Sequence, residues 1–155
     1  MKKIILPLLA SLAIATPALA NEARVEARGG VVWANGSSED IWGVAAGYDF
    51  DLGSMAFAGV EVSGDKIGAS GTQVSLGLTG RVGVKAGEKT RIYANGGYNT
   101  KWCDAPFCEG QWGAGAGIEQ TISGKVYVKA EYRHLFEHNF MPGTDALAAG
   151  VGMRF

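Results

Sequence analysis

From residue 21 onward, apolar side chains recur at every second position rather than every third or fourth. Residues 42–50 read Trp42, Val44, Ala46, Tyr48 and Phe50 on one parity, with glycine, alanine and Asp49 between them. The same period-two pattern runs through Val74, Leu76, Leu78, Val82 and Val84, and through Val126, Val128, Ala130 and Tyr132. It closes the chain as Leu147, Ala149, Val151, Met153 and Phe155. Alternation of this kind marks β-strands with one apolar face. It predicts eight strands, over residues 23–34, 41–51, 54–64, 72–84, 91–102, 110–120, 125–134 and 145–155. The connections 51–54, 86–89 and 121–124 read as tight turns, whereas 35–40, 65–71, 101–109 and 135–144 read as longer, irregular loops.

Charge follows the same parity. Glu26, Arg28, Asp49, Glu61, Arg81, Arg91, Glu119, Lys129, Glu131 and Arg133 all occupy the non-apolar face of their strands. One apolar face along the strands, with these ten charges on the other, is what a sheet closed within lipid requires. A cation facing the bilayer midplane costs about 2–4 kcal/mol. The expected fold is therefore all-β, an eight-stranded antiparallel up-and-down transmembrane β-barrel. Eight strands leave an interior that side chains fill, so these ten residues, with Tyr93 and Tyr127, are expected to form a lumen charge network. Gly43, Gly47, Gly77 and Gly83 make room beside them. The rival reading is a soluble β-sandwich, whose strands alternate in the same way.

Four tryptophans sharpen this choice. Trp33, Trp42, Trp102 and Trp112 fall at the loop-side ends of their strands and, by parity, outward. An indole suits the membrane interface because it joins an apolar ring to one N–H donor. The four are expected to form an aromatic girdle against outer-membrane lipids.

Composition agrees. The chain is 47% hydrophobic with 24 glycines, and its mean hydropathy is near zero, as alternating faces average out. After the N-terminal segment no apolar run approaches the roughly 20 residues of a membrane-spanning helix. With 14 basic and 15 acidic residues and no basic stripe, a nucleic-acid partner is not expected. The first residues, Met1-Lys2-Lys3, an apolar run over 4–15 and Ala18-Leu19-Ala20, have the form of a secretory signal peptide cleaved after Ala20. Residues 1–20 are thus expected to be a signal, and 21–155 the barrel domain.

Several segments then resemble a known family: Gly47-Tyr48-Asp49-Phe50, Gly59-Val60-Glu61, Arg81-Val82-Gly83, Ile92-Tyr93-Ala94-Asn95-Gly96-Gly97-Tyr98, Gly115-Ala116-Gly117-Ile118-Glu119 and Ala130-Glu131-Tyr132-Arg133. In this order they resemble the small bacterial outer-membrane β-barrel proteins that include opacity-type and porin-like surface antigens. The resemblance implies a non-enzymatic barrel in the outer membrane, supporting envelope integrity, adhesion or host contact. It brings no catalytic residues. The aromatic Phe155 resembles the terminal residue by which the barrel-assembly machinery reads such proteins, and so is expected to be the assembly signal. A monomer without cofactor is expected, whose loops could meet a surface ligand. The loops here are short for a large adhesive surface.

Chemical motifs are few. Cys103 and Cys108 bracket a proline turn in an exported chain, and a disulfide is expected between them. His134-Leu135-Phe136-Glu137-His138 matches H-x-x-E-H, but metal catalysis by that motif needs both histidines on one helical face. Here it continues a strand into a loop. No serine follows Ser123, so a serine nucleophile could reach these histidines only across the barrel mouth, from Ser37 or Ser38. The function expected is structural or adhesive, with a small diffusion pore and a lipid-modifying enzyme as alternatives.

Overall fold

In a computed structural model the chain forms a closed antiparallel barrel. The structure describes residues 21–155 apart from 107 and 140; the expected signal segment, 1–20, lies outside the described residues. The strands are β1 (Glu22–Ala34), β2 (Ser37–Asp51), β3 (Ala56–Ile67), β4 (Ser75–Ala86), β5 (Thr90–Asn99), β6 (Gln111–Ser123), β7 (Val126–Leu135) and β8 (Thr144–Arg154). Each pairs with its neighbour in sequence, and β1 pairs with β8 from Arg24↔Arg154 to Trp33↔Asp145. Closure satisfies every strand edge, the condition for crossing lipid with strands.

The alternation read from the sequence becomes an inside and an outside. Val44, Leu76, Leu78, Val82 and Val151 are more than half exposed, whereas Arg24, Asp49, Glu119 and Tyr127 are at most 1% exposed. This inverts a soluble protein: the polar side chains form the core, and the apolar ones await a non-aqueous solvent.

Two differences from the expected connections have local causes. Residues 35–40 are not a loop. Asn35 and Gly36 alone form the turn, with φ of 51° and 81°, and Ser37 already pairs with Ala34. Positive φ at both central positions is the two-residue hairpin geometry that matches strand twist, and Asn-Gly is its preferred sequence. The β1–β2 hairpin therefore extends beyond its neighbours on the loop side. Strand β3 also runs on to Ile67, drawing Asp65 out of the expected loop and into the lumen.

Candidate functional site: the charged lumen and the outer rim

Among the described residues, inward positions of all eight strands carry one connected ion-pair network of seven cationic side chains and seven carboxylates. The cations are Arg24, Arg28, Arg81, Arg91, Lys129, Arg133 and Arg154. The carboxylates are Glu22, Glu26, Asp49, Glu61, Asp65, Glu119 and Glu131. A buried ion costs several kcal/mol unless it is paired and hydrogen-bonded, and here the two signs balance.

The network is layered along the barrel axis. Nearest the tight turns, Arg91 Nη2 donates to Glu22 Oε2 at 2.5 Å, and Arg154 Nη2 to Glu119 Oε2 at 2.6 Å. Arg81 grips Asp49 with two donors, at 2.9 and 2.5 Å, and also bonds Glu119. This planar fork on a carboxylate is the strongest pairing geometry a guanidinium has. Its cation also lies over Phe57 and Tyr93, 5.2 and 4.9 Å from the ring centroids. In the middle layer Arg24 Nη1 meets Glu61 Oε2 at 2.7 Å, and Lys129 pairs with Glu26 and, at 3.5 Å, with Glu131. Tyr127 donates to Glu26 at 2.9 Å and Tyr93 to Glu131 at 2.7 Å. Toward the loops Arg28 bonds both oxygens of Asp65, at 2.8 and 2.5 Å, and Glu61 at 3.0 Å, while Arg133 bonds Glu131 at 2.8 Å.

Glycine makes this packing feasible. A Cβ at Gly117 would stand 2.5 Å from Tyr93 Cζ, and one at Gly152 2.5 Å from Tyr127 Cζ. Only a bare backbone lets each phenol lie over the neighbouring strand, where Tyr93 faces Gly117 and Tyr127 faces Gly152.

All ten charged residues expected in the lumen face it. Sequence reasoning left out Glu22, Arg24, Asp65 and Arg154, although Arg24 shares the parity of Glu26 and Arg154 that of Gly152. Asp65 was hidden by ending β3 too early.

Above the network the lumen closes with an apolar cap. Val32, Trp102 and Leu135, all at most 8% exposed, cover Arg28, Asp65, Glu131 and Arg133 around a cavity of about 40 Å³. Trp102 corrects the expectation that all four tryptophans face outward. β5 ends at Asn99, so strand parity does not reach Trp102. The loop instead pairs with the β3–β4 connection through Gln73 N–H to Trp102 O and the bridge Thr72↔Cys103, which turns the indole over the mouth. Cys103 and Cys108 are joined in a disulfide, with Cα atoms 5.8 Å apart. On its other side, Gln111 anchors the neighbouring β7–β8 loop by donating to Phe136 O and Pro142 O, each at 3.0 Å.

A family model described as the outer membrane protein beta-barrel domain matches residues 5–155. The chain belongs to this family. Solved barrels of similar fold include the N-terminal β-barrel domain of Pseudomonas aeruginosa OprF, at 18% identity and TM-score 0.64, covering 86% of this chain and 97% of that one. The outer membrane enzyme PagL gives 13% identity and TM-score 0.61, covering 84% and 98%. Neisserial surface protein A gives 14% and 0.56, covering 87% and 97%. At these identities and TM-scores the likeness is one of fold. No curated protein sequence matches.

As an outer-membrane barrel, the chain turns its apolar face to lipid. Trp33, Trp42 and Trp112 are on that face, at 37%, 58% and 65% exposure. Trp33 lies 6.5 Å from the Tyr132 ring and Trp112 5.4 Å from that of Tyr98, centroid to centroid. Phe155 is also exposed, with Lys125 Nζ 5.8 Å from its ring centroid. The two histidines of H-x-x-E-H part company: His134 Nδ1 lies 2.8 Å from Asp145 Oδ1, and His138 Nε2 3.3 Å from Glu109. Tyr132 donates to the same Asp145 oxygen at 2.6 Å. Among the described residues no group of three or more His, Cys, Asp or Glu side chains could hold a metal ion.

Proposed function

We propose that this outer-membrane barrel is a non-enzymatic structural element of the envelope. Its signal segment is removed after Ala20, its tight turns face the periplasm, and its braced loops are presented outside. The observation that carries this reading is the lumen. Seven cations matched by seven carboxylates, with two phenols and an apolar cap above them, leave little for a permeating ion to displace cheaply. Presentation of the loops is supported by the disulfide, which restricts the longest of them, and by the shared fold with a neisserial surface protein.

Single-channel recording of the barrel in planar bilayers tests the closed lumen. Negligible conductance is expected, and stepwise openings at modest voltage would replace this reading with a diffusion pore. Labelling Cys103 and Cys108 in intact cells with a membrane-impermeant maleimide, after mild reduction, tests the orientation. Label should appear without cell lysis.

A second reading, an enzyme acting on outer-leaflet lipid, draws on one observation. Asp145 orients His134 on the lipid-facing rim, with Nε2 free of that bond. Such a dyad is the arrangement of a general base. Lipid A from cells overproducing the native chain and its His134→Asn variant should have identical masses under the structural reading. A mass change lost in the variant would establish the enzyme.

A further inference from the structure

The lumen network accounts for the barrel's interior, but the turn-side mouth holds charge beyond it. A cavity of about 730 Å³ opens there, lined by Glu22, Lys85, Glu88, Lys89, Arg91, Lys125 and Arg154 among others. That volume lies within the usual range of ligand sites, roughly 300–1,000 Å³. Five of these side chains are cationic and two are acidic.

The pairing of each cation decides what the mouth can do. Lys85 is held by Asp51 at 2.6 Å. Lys89 and Lys125 stand at the turns on either side of β5 and β6, and among the described residues neither has a carboxylate within 4.0 Å. Arg91 and Arg154 form the floor, and one carboxylate stands between them. Glu22 Oε2 is 2.5 Å from Arg91 Nη2 and 4.0 Å from Arg154 Nε. That Nε is buried and, among the described residues, has no hydrogen-bond acceptor. Glu22 is the first residue of β1 and its side chain is 35% exposed, the most accessible carboxylate of the network. An oxyanion from solution could take its place between the two guanidiniums, while a second anionic group of the same molecule reached Lys89 or Lys125.

We propose that the turn-side mouth is a binding site for an oxyanion ligand carrying two or more carboxylate or phosphate groups. Arg91 and Arg154 hold one group, Lys89 and Lys125 another, and Glu22 acts as the internal competitor. The site is separate from the loop-side surface and does not depend on whether the lumen conducts.

The test uses the barrel purified from outer membranes and placed in phosphatidylcholine nanodiscs, titrated separately with pyrophosphate and with citrate. Backbone amide shifts are read by NMR. Saturable shifts are expected at Lys89, Arg91, Lys125 and Arg154, with none at Lys101 or His134 on the loop side. The double variant Lys89→Glu/Lys125→Glu, altered only in turns, should bind at least about tenfold more weakly, and Lys101→Glu should bind as the native chain does. Glu22→Gln should bind more tightly, because the competing carboxylate is gone. Repeating the titration in discs containing phosphatidylglycerol identifies the source. Weakened pyrophosphate binding assigns the site to lipid headgroups, and unchanged binding assigns it to soluble anions. Absence of saturable turn-side shifts up to about 10 mM of either anion, or equal losses in the double variant and Lys101→Glu, would overturn the proposal.

Discussion

Replacing Glu131 by alanine asks whether the lumen network is a sealed set of counter-ions or a hydrated surface. Glu131 is 6% exposed and serves three donors: Arg133 at 2.8 Å, Lys129 at 3.5 Å and the Tyr93 hydroxyl at 2.7 Å. Removing it leaves Arg133 with no carboxylate within 4.0 Å among the described residues, whereas Lys129 keeps Glu26. Breaking a buried pair by deleting one partner costs about 3–5 kcal/mol. Arg133 adjoins the small cavity under the cap, where a water can partly replace the lost oxygen, so the lower end applies. The expected loss is about 3 kcal/mol, part of it the roughly 1 kcal/mol of the Tyr93 hydroxyl losing its acceptor. In urea unfolding of the lipid-embedded barrel, with a slope near 2 kcal/mol/M, the midpoint should fall by about 1.5 M. Glu131→Gln keeps an acceptor for Tyr93 and should fall by less. Conductance should remain negligible in both variants. An unchanged midpoint in Glu131→Ala, together with a steady ion current, would refute the sealed network, because only bulk water could solvate Arg133 so well.

Three further outcomes follow from the same geometry. Trp102→Ala removes the indole of the cap and should lower stability by about 3 kcal/mol, toward the low end for a buried aromatic, read as a shift of the urea midpoint. The double variant Cys103→Ser/Cys108→Ser should still assemble and lose at most about 2 kcal/mol, since the disulfide closes a short loop; thiol titration of the denatured, unreduced native protein should find no free cysteine. Gly152→Val would drive a side chain into the Tyr127 ring and break its bond to Glu26, and refolding yield in vesicles should fall sharply while Gly36→Asn, in the exposed hairpin turn, refolds normally.

The architecture was legible because lipid imposes period two on every strand, and few other solvents would sort charge so completely. Val126, Val128 and Ala130 against Lys129, Glu131 and Arg133 already separate lipid from lumen. The disulfide was legible from spacing and the proline turn. What escaped lay where strand parity ends. Trp102 follows the last residue of β5 by three positions, and its direction is set by pairing with residues 72 and 73, thirty positions earlier in the chain. The Asn35-Gly36 pair is itself a local hairpin signal, and the polar residues after it are the exposed end of an extended hairpin and not a loop. The His134–Asp145 pair joins neighbouring strands across a loop, a register that alternation alone does not fix.

A lumen built from ions is not the most stable way to fill a barrel, since well-packed apolar residues often do as well or better than a buried ion pair. Its advantage here is discrimination between the two faces. Slipping one strand by a single residue exchanges its faces completely. For β7 that would move Lys129, Glu131 and Arg133 into lipid and bring Val128, Ala130 and Tyr132 against the remaining charges. At about 2–4 kcal/mol for each cation near the midplane, the two cations alone would cost about 4–8 kcal/mol, before any stranded partner such as Glu26 is counted. An apolar lumen would lack this penalty, because both faces would then tolerate lipid. The ion pairs therefore hold each strand to one register, and residues whose net contribution to stability is small still make the other registers inaccessible.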